Sequence, residues 1–424
     1  MMRPKHYFIP IQRCWALHYR NRIKQRPLAK AQLLYVPESC ASFQQNESVL
    51  TALDQRRALS MTVLSAPVQS SPSHYTADTD SSIHHHRTEE WIVNQIVQPI
   101  RKEVRDYTHQ LHSEDLMEPP HLVGILANED PSAVNYSHEI ERMCLEDGIR
   151  YTLQHTVDLG RIKTMIQSAN EDPSVTGVLV YYPIFATSGR RGPYKNQLQG
   201  VYYKTHDDFL QDTVSRQCDV EGLCHHYNAR LIHKDPDYVV DGWNDENFKY
   251  IFPCTAMSVV KVLQACSDLY NPRLDIGQRF TDNVITIINR SEILGRPLAA
   301  MLNNDGAKVY SVDKRSILLF DHGRVNRCDR EMKIESCVRQ SNVLITGVPD
   351  PTFVVPTEWI QPYSTVVNVA HVRNIEEESI VHVEGVRYVP AVGKVTVAIL
   401  ERNLVSLHKR YHSNRRIQES SCVA

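Results

Sequence analysis

Residues Val284 to Asp313, VITIINRSEILGRPLAAMLNNDGAKVYSVD, constrain the fold more than any other stretch. VITII is an apolar run of strand length, rich in β-branched residues. NRSEILG is a connection, Pro297 suits the first turn of a helix, and Gly306 stands where that helix should stop. KVYSVD is a second strand that ends on an acid. Two strands joined through a helix imply a parallel sheet with helices packed on it.

The same alternation recurs along the chain. EEWIVNQIVQPIRKEVRDYTHQL, from Glu89, is an amphipathic helix that Pro99 kinks or divides. HLVGILAN is a strand. DPSAVNYSHEIERMCLEDG is a helix with Asp130 as N-cap, Pro131 in the first turn and Gly148 at its end. IRYTLQHT, DLGRIKTMIQSAN and GVLVYYPIF follow as strand, helix and strand. Residues 186–250 read as irregular and polar. PCTAMSVVKVLQACSDL is a helix. A polar insertion is expected around residues 320–335, after which SNVLITGVP and STVVNVA resume the strands. VRYVPAVGKVTVAILERNLVSLHKRYH closes with a strand, a turn and a long helix.

The expected fold class is α/β with two lobes: an N-terminal α/β lobe over 88–250 and a Rossmann-like parallel-sheet lobe over 251–395. A C-terminal helix, 396–414, is expected to return to the first lobe. Residues 1–87 are expected to be a disordered extension. They are basic at the start, with eight Lys or Arg before the first acid, Glu38, and rich in Ser, Thr and Pro over Ser60 to Ser82. Such a start fits a mitochondrial presequence or a solvated tail; the location expected for the protein is otherwise cytoplasmic.

A net charge of −2 gives no footprint for nucleic acid, and no run of 18 apolar residues suggests a membrane span. The ten cysteines are scattered without a CxxC pair, which fits reduced thiols. Cys224, His225 and His226 are adjacent and converge poorly on one ion, so no metal is expected.

The opening stretch lacks G-x-G-x-x-G, yet it has the parts of a dinucleotide site. The free N–H groups and positive dipole at the helix start suit a pyrophosphate. Ser291 adds a hydroxyl and Arg290 a charge. Asn289 tolerates a left-handed turn, so Gly295 alone suffices where other proteins use three glycines. Asp313 ends the second strand, where an acid accepts hydrogen bonds from the ribose 2′-OH and repels a 2′-phosphate. That favours NAD over NADP, although Lys314 and Arg315 could turn toward a phosphate. An ordinary strand-helix-strand unit is the alternative.

LVGILANEDPSAVNY, GVLVYYPIF, DVEGL, PCTAMSVVK, INRSEILGRPLAAMLNNDGAKVYSVD, ITGVP and PAVGKVTVAILERN together resemble the tetrahydrofolate dehydrogenase/cyclohydrolase family, in its order, over about residues 121 to 403. They look closest to its monofunctional NAD-dependent, yeast-type branch. The resemblance implies a tetrahydrofolate substrate, a folate-binding catalytic lobe over 88–250 and an NAD-binding lobe over 251–395 with a cleft between them, and a homodimer through the cofactor lobe. It implies that Tyr136 packs on the folate, that Glu221 binds the pterin edge with Asp219 bracing the turn, and that Tyr181 lines the pocket. Cys254 would be a packed thiol near the nicotinamide, with Thr255 beside it. Gly347, Val348 and Pro349 would let the backbone approach the cofactor, with Gly393 and Thr396 closing the site.

The departures bear on chemistry. Where the bifunctional family has Tyr-x-x-x-Lys, the chain has Tyr136 and Ile140; Tyr181 replaces a Gln, Glu221 an Asp and Asn289 a Gly. Taking hydride from the methylene carbon between N5 and N10 needs positioning and tolerance of a cation. Hydrolysing the methenyl product needs a positioned acid–base group, which isoleucine cannot supply. The expectation is a dehydrogenase without cyclohydrolase activity, unless Lys394 or His138 substitutes. The rivals are a bifunctional NADP-dependent enzyme and a non-catalytic folate- or nucleotide-binding protein.

Overall fold

The computed structural model describes residues 90–113, 118–185, 191–195, 202–232 and 251–412, with side chains except at 191–195 and 202. The extension expected over 1–87 lies outside them. Among the described residues no helix is long and apolar enough to cross a membrane.

The described residues open in a helix that takes one π-helical turn, Val93–Val97, and runs into α1 (Gln98–Ser113). The switch falls at Gln98, next to Pro99, which has no N–H to give to the helix ladder. β1 (His121–Leu126), α2 (Pro131–Glu146), β2 (Arg150–His155), α3 (Ile162–Glu171) and β3 (Gly177–Val180) follow. The strands form a parallel sheet in the order β2-β1-β3. Asp130 caps α2 by accepting the Ser132 N–H at 2.8 Å, and Gly148 ends it with φ +74°. β3 is shorter than GVLVYYPIF suggested, stopping before the cis Tyr182–Pro183 peptide.

The segment expected to be irregular holds two strands and two short helices. β4 (Arg191–Lys195) pairs antiparallel with β5 (Tyr202–Thr205), and α4 (His206–Gln211) and α5 (His225–Ile232) come next. Thr205 and Asp208 form a reciprocal capping box, a Thr-x-x-Asp signal that hydrophobic periodicity does not register.

α6 (Cys254–Gln264) leads into the second sheet: β6 (Val284–Ile288), α7 (Gly295–Asn304), β7 (Lys308–Asp313), β8 (Ser316–Asp321), β9 (Arg324–Arg327), α8 (Ile334–Arg339), β10 (Val343–Thr346), β11 (Thr365–Asn368), α9 (Glu377–Ile380) and β12 (Arg387–Val389). The order is β12-β11-β10-β6-β7-β8-β9, parallel through β7 and antiparallel beyond it. The two-lobed α/β expectation holds. The insertion expected around residues 320–335 is in part a hairpin, turning at His322 and Gly323, both at positive φ. β9 is an edge strand exposed along its whole length, so its residues carry no burial pattern to read.

α10 (Gly393–Leu407) crosses to the first sheet's side. Arg402 bonds Glu103 of α1 at 3.3 Å, and the Asn403 amide donates to the Val220 and Phe252 carbonyls at 2.8 and 3.0 Å. A π-helical end, His408–His412, packs on α1, with Tyr107 Oη and His408 Nδ1 2.8 Å apart.

Burial first, and then the neighbouring His412, holds the His408 imidazole down to about 4. The unfolded chain therefore binds a proton that the fold rejects between about pH 6.5 and 4, so stability falls as pH falls through that window. The full effect is roughly 3 kcal/mol. Urea midpoints at pH 7 and 4.5 should differ less for His408→Gln than for the parent protein; equal acid sensitivity would rule out His408 as the cause.

Candidate active site

The first group of residues meets at the carboxyl end of β3. Asp219 is buried and accepts the Gly222 and Cys224 N–H groups at 2.9 and 2.8 Å, which fixes the turn of DVEGL. Gly222 has φ +68°, and a side chain there would lie 2.7 Å from the Phe252 carbonyl carbon. The turn therefore presses on the residues that open α6, and the Cys254 N–H reaches the Glu221 carbonyl at 3.2 Å.

The Glu221 carboxylate accepts the Val180 N–H at 3.2 Å. Burial first, and then the charge of Asp219, pushes it up to about 8. Tyr136, half-buried on α2, is raised well above a free phenol by burial and then by Cys254 and Glu221. The Cys254 thiol is also raised, chiefly by burial and by Glu221, so it stays protonated and is a poor nucleophile.

Tyr181 is buried, with its ring edge-on to Tyr136 at 6.2 Å and 86°. Its hydroxyl lies 2.8 Å from that of Tyr151. Gly124 makes room for the pair, since a Cβ there would sit 2.5 Å from Tyr151 Oη. Tyr151 escaped the sequence reading because nothing in β2 marks which strand it faces. Ile140 is fully buried in the core shared by α2, α6 and α10. His138 and Lys394 are exposed.

The second group lies at the carboxyl ends of β6, β7 and β10. Gly295 opens α7 so close to β6 that a Cβ would overlap the Asn289 carbonyl and sit 2.8 Å from Arg290 Cα. Asn289 does not take the left-handed turn expected of it: among the described residues, the non-glycine residues at positive φ are Asp282, His322 and Tyr363. Asn289 accepts the Ser291 N–H at 2.6 Å and donates to the Gly347 carbonyl at 2.5 Å, tying the two strand ends together. Ser291 Oγ accepts the Leu294 N–H at 3.1 Å. Gly347 leaves space beside Leu294, 2.8 Å from where its Cβ would be. The Val348 N–H donates to Asn374 at 2.9 Å, and Pro349 is exposed next to it. Asn374, fully buried, holds this loop from both sides and carried no motif.

Arg290 reaches across to the β7–β8 turn. Its guanidinium donates to Ser311 Oγ at 3.2 Å, to Ser316 Oγ and O at 2.8 Å each, and to the Ser311 carbonyl. Its Nη1 stands 4.0 Å from Asp313. Asp313 is about half exposed and accepts its neighbour's Lys314 N–H at 2.8 Å. It borders a cavity of about 730 Å³ with Ser316, Arg327, Lys333 and Trp359. Thr396 is buried in α10, its hydroxyl on the Val392 carbonyl at 3.1 Å, and Gly393 is exposed before it. Glu292, in the same connection, bonds Arg296 at 2.6 Å and Lys204 at 2.9 Å, joining β5 to the second lobe. A smaller cavity of about 360 Å³ lies between α7 and the β8–β9 hairpin, with Arg290 on its wall. Its amides are already committed, Asn303 to Ala307 O and Asn304 to Leu231 O.

These features define a two-lobed α/β protein with a Rossmann-like nucleotide-binding lobe. The pattern described as tetrahydrofolate dehydrogenase/cyclohydrolase, catalytic domain, matches residues 93–191, and that of the family's NAD(P)-binding domain matches 253–412. The Methylenetetrahydrofolate dehydrogenase [NAD(+)] of Schizosaccharomyces pombe is 37% identical over 298 residues, 68% of this chain and 84% of that one. The protein of the same name from Dictyostelium discoideum is 35% identical over 75% of this chain and 95% of its own. The solved NAD-dependent 5,10-methylenetetrahydrofolate dehydrogenase of Saccharomyces cerevisiae superposes with TM-score 0.63 at 32% identity, covering 77% of this chain and 97% of that one. The chain belongs to the tetrahydrofolate dehydrogenase/cyclohydrolase family.

Proposed function

We propose that the protein oxidises 5,10-methylenetetrahydrofolate to 5,10-methenyltetrahydrofolate with NAD in one-carbon metabolism, and leaves the product unhydrolysed. One observation carries this reading: Ile140, at the position where the bifunctional family has lysine, is an aliphatic side chain fully buried in the core beside Tyr136 and Tyr181. Such a site can bind and orient, which hydride transfer needs, but lacks at that position the acid–base group that hydrolysis would use. Ile140, in the core, has no proton to exchange.

The tight turn that Gly295 permits between β6 and the start of α7 suits a pyrophosphate at that helix start. Asn289, Ser291 and Gly295 would hold that end, Gly347 to Pro349 the nicotinamide side, and Asp313 the ribose hydroxyls. NAD, when bound, supplies the hydride acceptor. Tyr136 and Tyr181 give the folate an apolar wall that excludes water, and Glu221 accepts hydrogen bonds from the pterin amino and N3 groups. The homodimer and the cytoplasmic location belong to the same proposal; sedimentation at micromolar concentration tests the first.

Absorbance assays with methylenetetrahydrofolate should show reduction of NAD well ahead of NADP. Incubation with methenyltetrahydrofolate should show no loss of absorbance above the buffer rate; enzyme-dependent loss would refute the monofunctional reading. Asp313→Ser should cut the NAD preference by about tenfold, the worth of one hydrogen bond to a charged group. An unchanged NAD-to-NADP ratio would remove Asp313 from cofactor selection.

A further inference from the structure

Buried polar atoms in folded proteins almost always have a hydrogen-bond partner, so an orphan asks for a reason. Here the Tyr182 hydroxyl, the Asn228 carbonyl oxygen and both Glu401 oxygens are buried without one. Asn228 still uses its amide nitrogen on Leu223 O at 2.8 Å. Glu401 lies in the interior of α10, beside Asp147 and Arg101. Tyr182 differs in place: it follows β3 directly, at the carboxyl end of a parallel sheet, where α/β folds receive ligands.

Two carboxylates bracket it. Glu221 accepts the N–H of Val180, two residues earlier, and Asp207 accepts the N–H of Phe185 at 3.3 Å, three residues later. The Tyr182 ring packs against the apolar cluster that includes Val180, Ile184 and Leu210, which fixes the ring and keeps the hydroxyl from swinging to bulk water. Burial, then Glu221 and Asp207, keeps the phenol protonated, so it is a hydrogen-bond donor.

We infer that Tyr182 is a substrate-binding residue whose hydroxyl, paired with the Glu221 carboxylate, recognises a cyclic amide edge. A carboxylate beside a phenol matches an N–H next to a carbonyl: the first accepts from the ring nitrogen, the second donates to the ring oxygen. On the function proposed above, on which this rests, that edge is the lactam of the reduced pterin. The orphan hydroxyl is then a group left unsatisfied in the free protein and completed by substrate. It costs stability without ligand and returns affinity with it.

Tyr182→Phe keeps the ring and removes only the hydroxyl. The variant should show a KM for methylenetetrahydrofolate raised about tenfold, kcat within about twofold, and an unchanged KM for NAD. The melting temperature of the free protein should rise by about 2 to 4 °C, while the further rise on adding tetrahydrofolate should shrink. An unchanged folate KM, or folate and NAD KM values rising together, would overturn the inference. If the parent protein fails to reduce NAD with methylenetetrahydrofolate, the proposed function fails instead. The tetrahydrofolate-induced melting shift then still decides the role of Tyr182, since equal shifts in parent and variant would refute it.

Discussion

Gly295→Ala should destabilise the protein by about 3 kcal/mol or more and remove most of its affinity for NAD. The added methyl would overlap the Asn289 carbonyl and lie 2.8 Å from Arg290 Cα. These are backbone atoms at the end of a buried strand, so no side chain can rotate to make room. Either α7 lifts off β6 or the Asn289 turn opens. Opening the turn breaks the Asn289 bonds to Ser291 and Gly347, which join β6 to β10. Both responses move the helix start on which a pyrophosphate would rest. Gly393→Ala is the control, because nothing lies within 4 Å of the position its Cβ would take. It should change stability by less than about 0.5 kcal/mol. Urea unfolding and NAD titration of the two variants measure the contrast; similar stabilities would refute the close approach as the reason for the glycine.

Glu221→Gln should lower kcat/KM for methylenetetrahydrofolate about a hundredfold at pH 8, the equivalent of roughly 3 kcal/mol in hydrogen bonds to a charged acceptor. The parent protein should itself depend on pH. With Glu221 pushed up to about 8, the free protein holds it mostly protonated at pH 7. A protonated carboxyl loses acceptor capacity just where the pterin amino and N3 groups need it. The profile of kcat/KM should therefore climb about tenfold per unit below pH 8 and level off above it, and glutamine should flatten the climb. The sign follows from burial, which disfavours the anion; Asp219 acts in the same direction and the Val180 N–H against it. A profile flat from pH 6 to 9 in the parent protein would show that the ionisation of Glu221 does not govern substrate capture.

Much of the fold was legible from local signals. The apolar run of β6, the caps of α2 at Asp130 and Gly148, and the Gly306 stop after α7 each state their structure within a few residues. The β8–β9 hairpin was not legible, because an edge strand in solvent carries no burial alternation. Two strands and two short helices within residues 186–250 escaped for a related reason: they are too short for a helical or strand period to emerge. The candidate site divides along the same line. Glycine 295 and Asp313 stand out by residue type and place in a strand-helix-strand unit, and the family resemblance singles out Tyr136 and Glu221.

What the sequence determined by itself is the succession of strands and helices and the chemical types at the strand ends, since backbone propensity and periodicity act over a few residues. Tertiary structure alone decided that the Arg290 guanidinium spans the β7–β8 turn, that Asn374 holds the Val348 loop, that Glu221 sits near neutrality, and that the Tyr182 hydroxyl has no partner. Each depends on desolvation or on hydrogen bonds between residues up to some tens of positions apart. Those energies do not exist until packing has brought the groups together and excluded water.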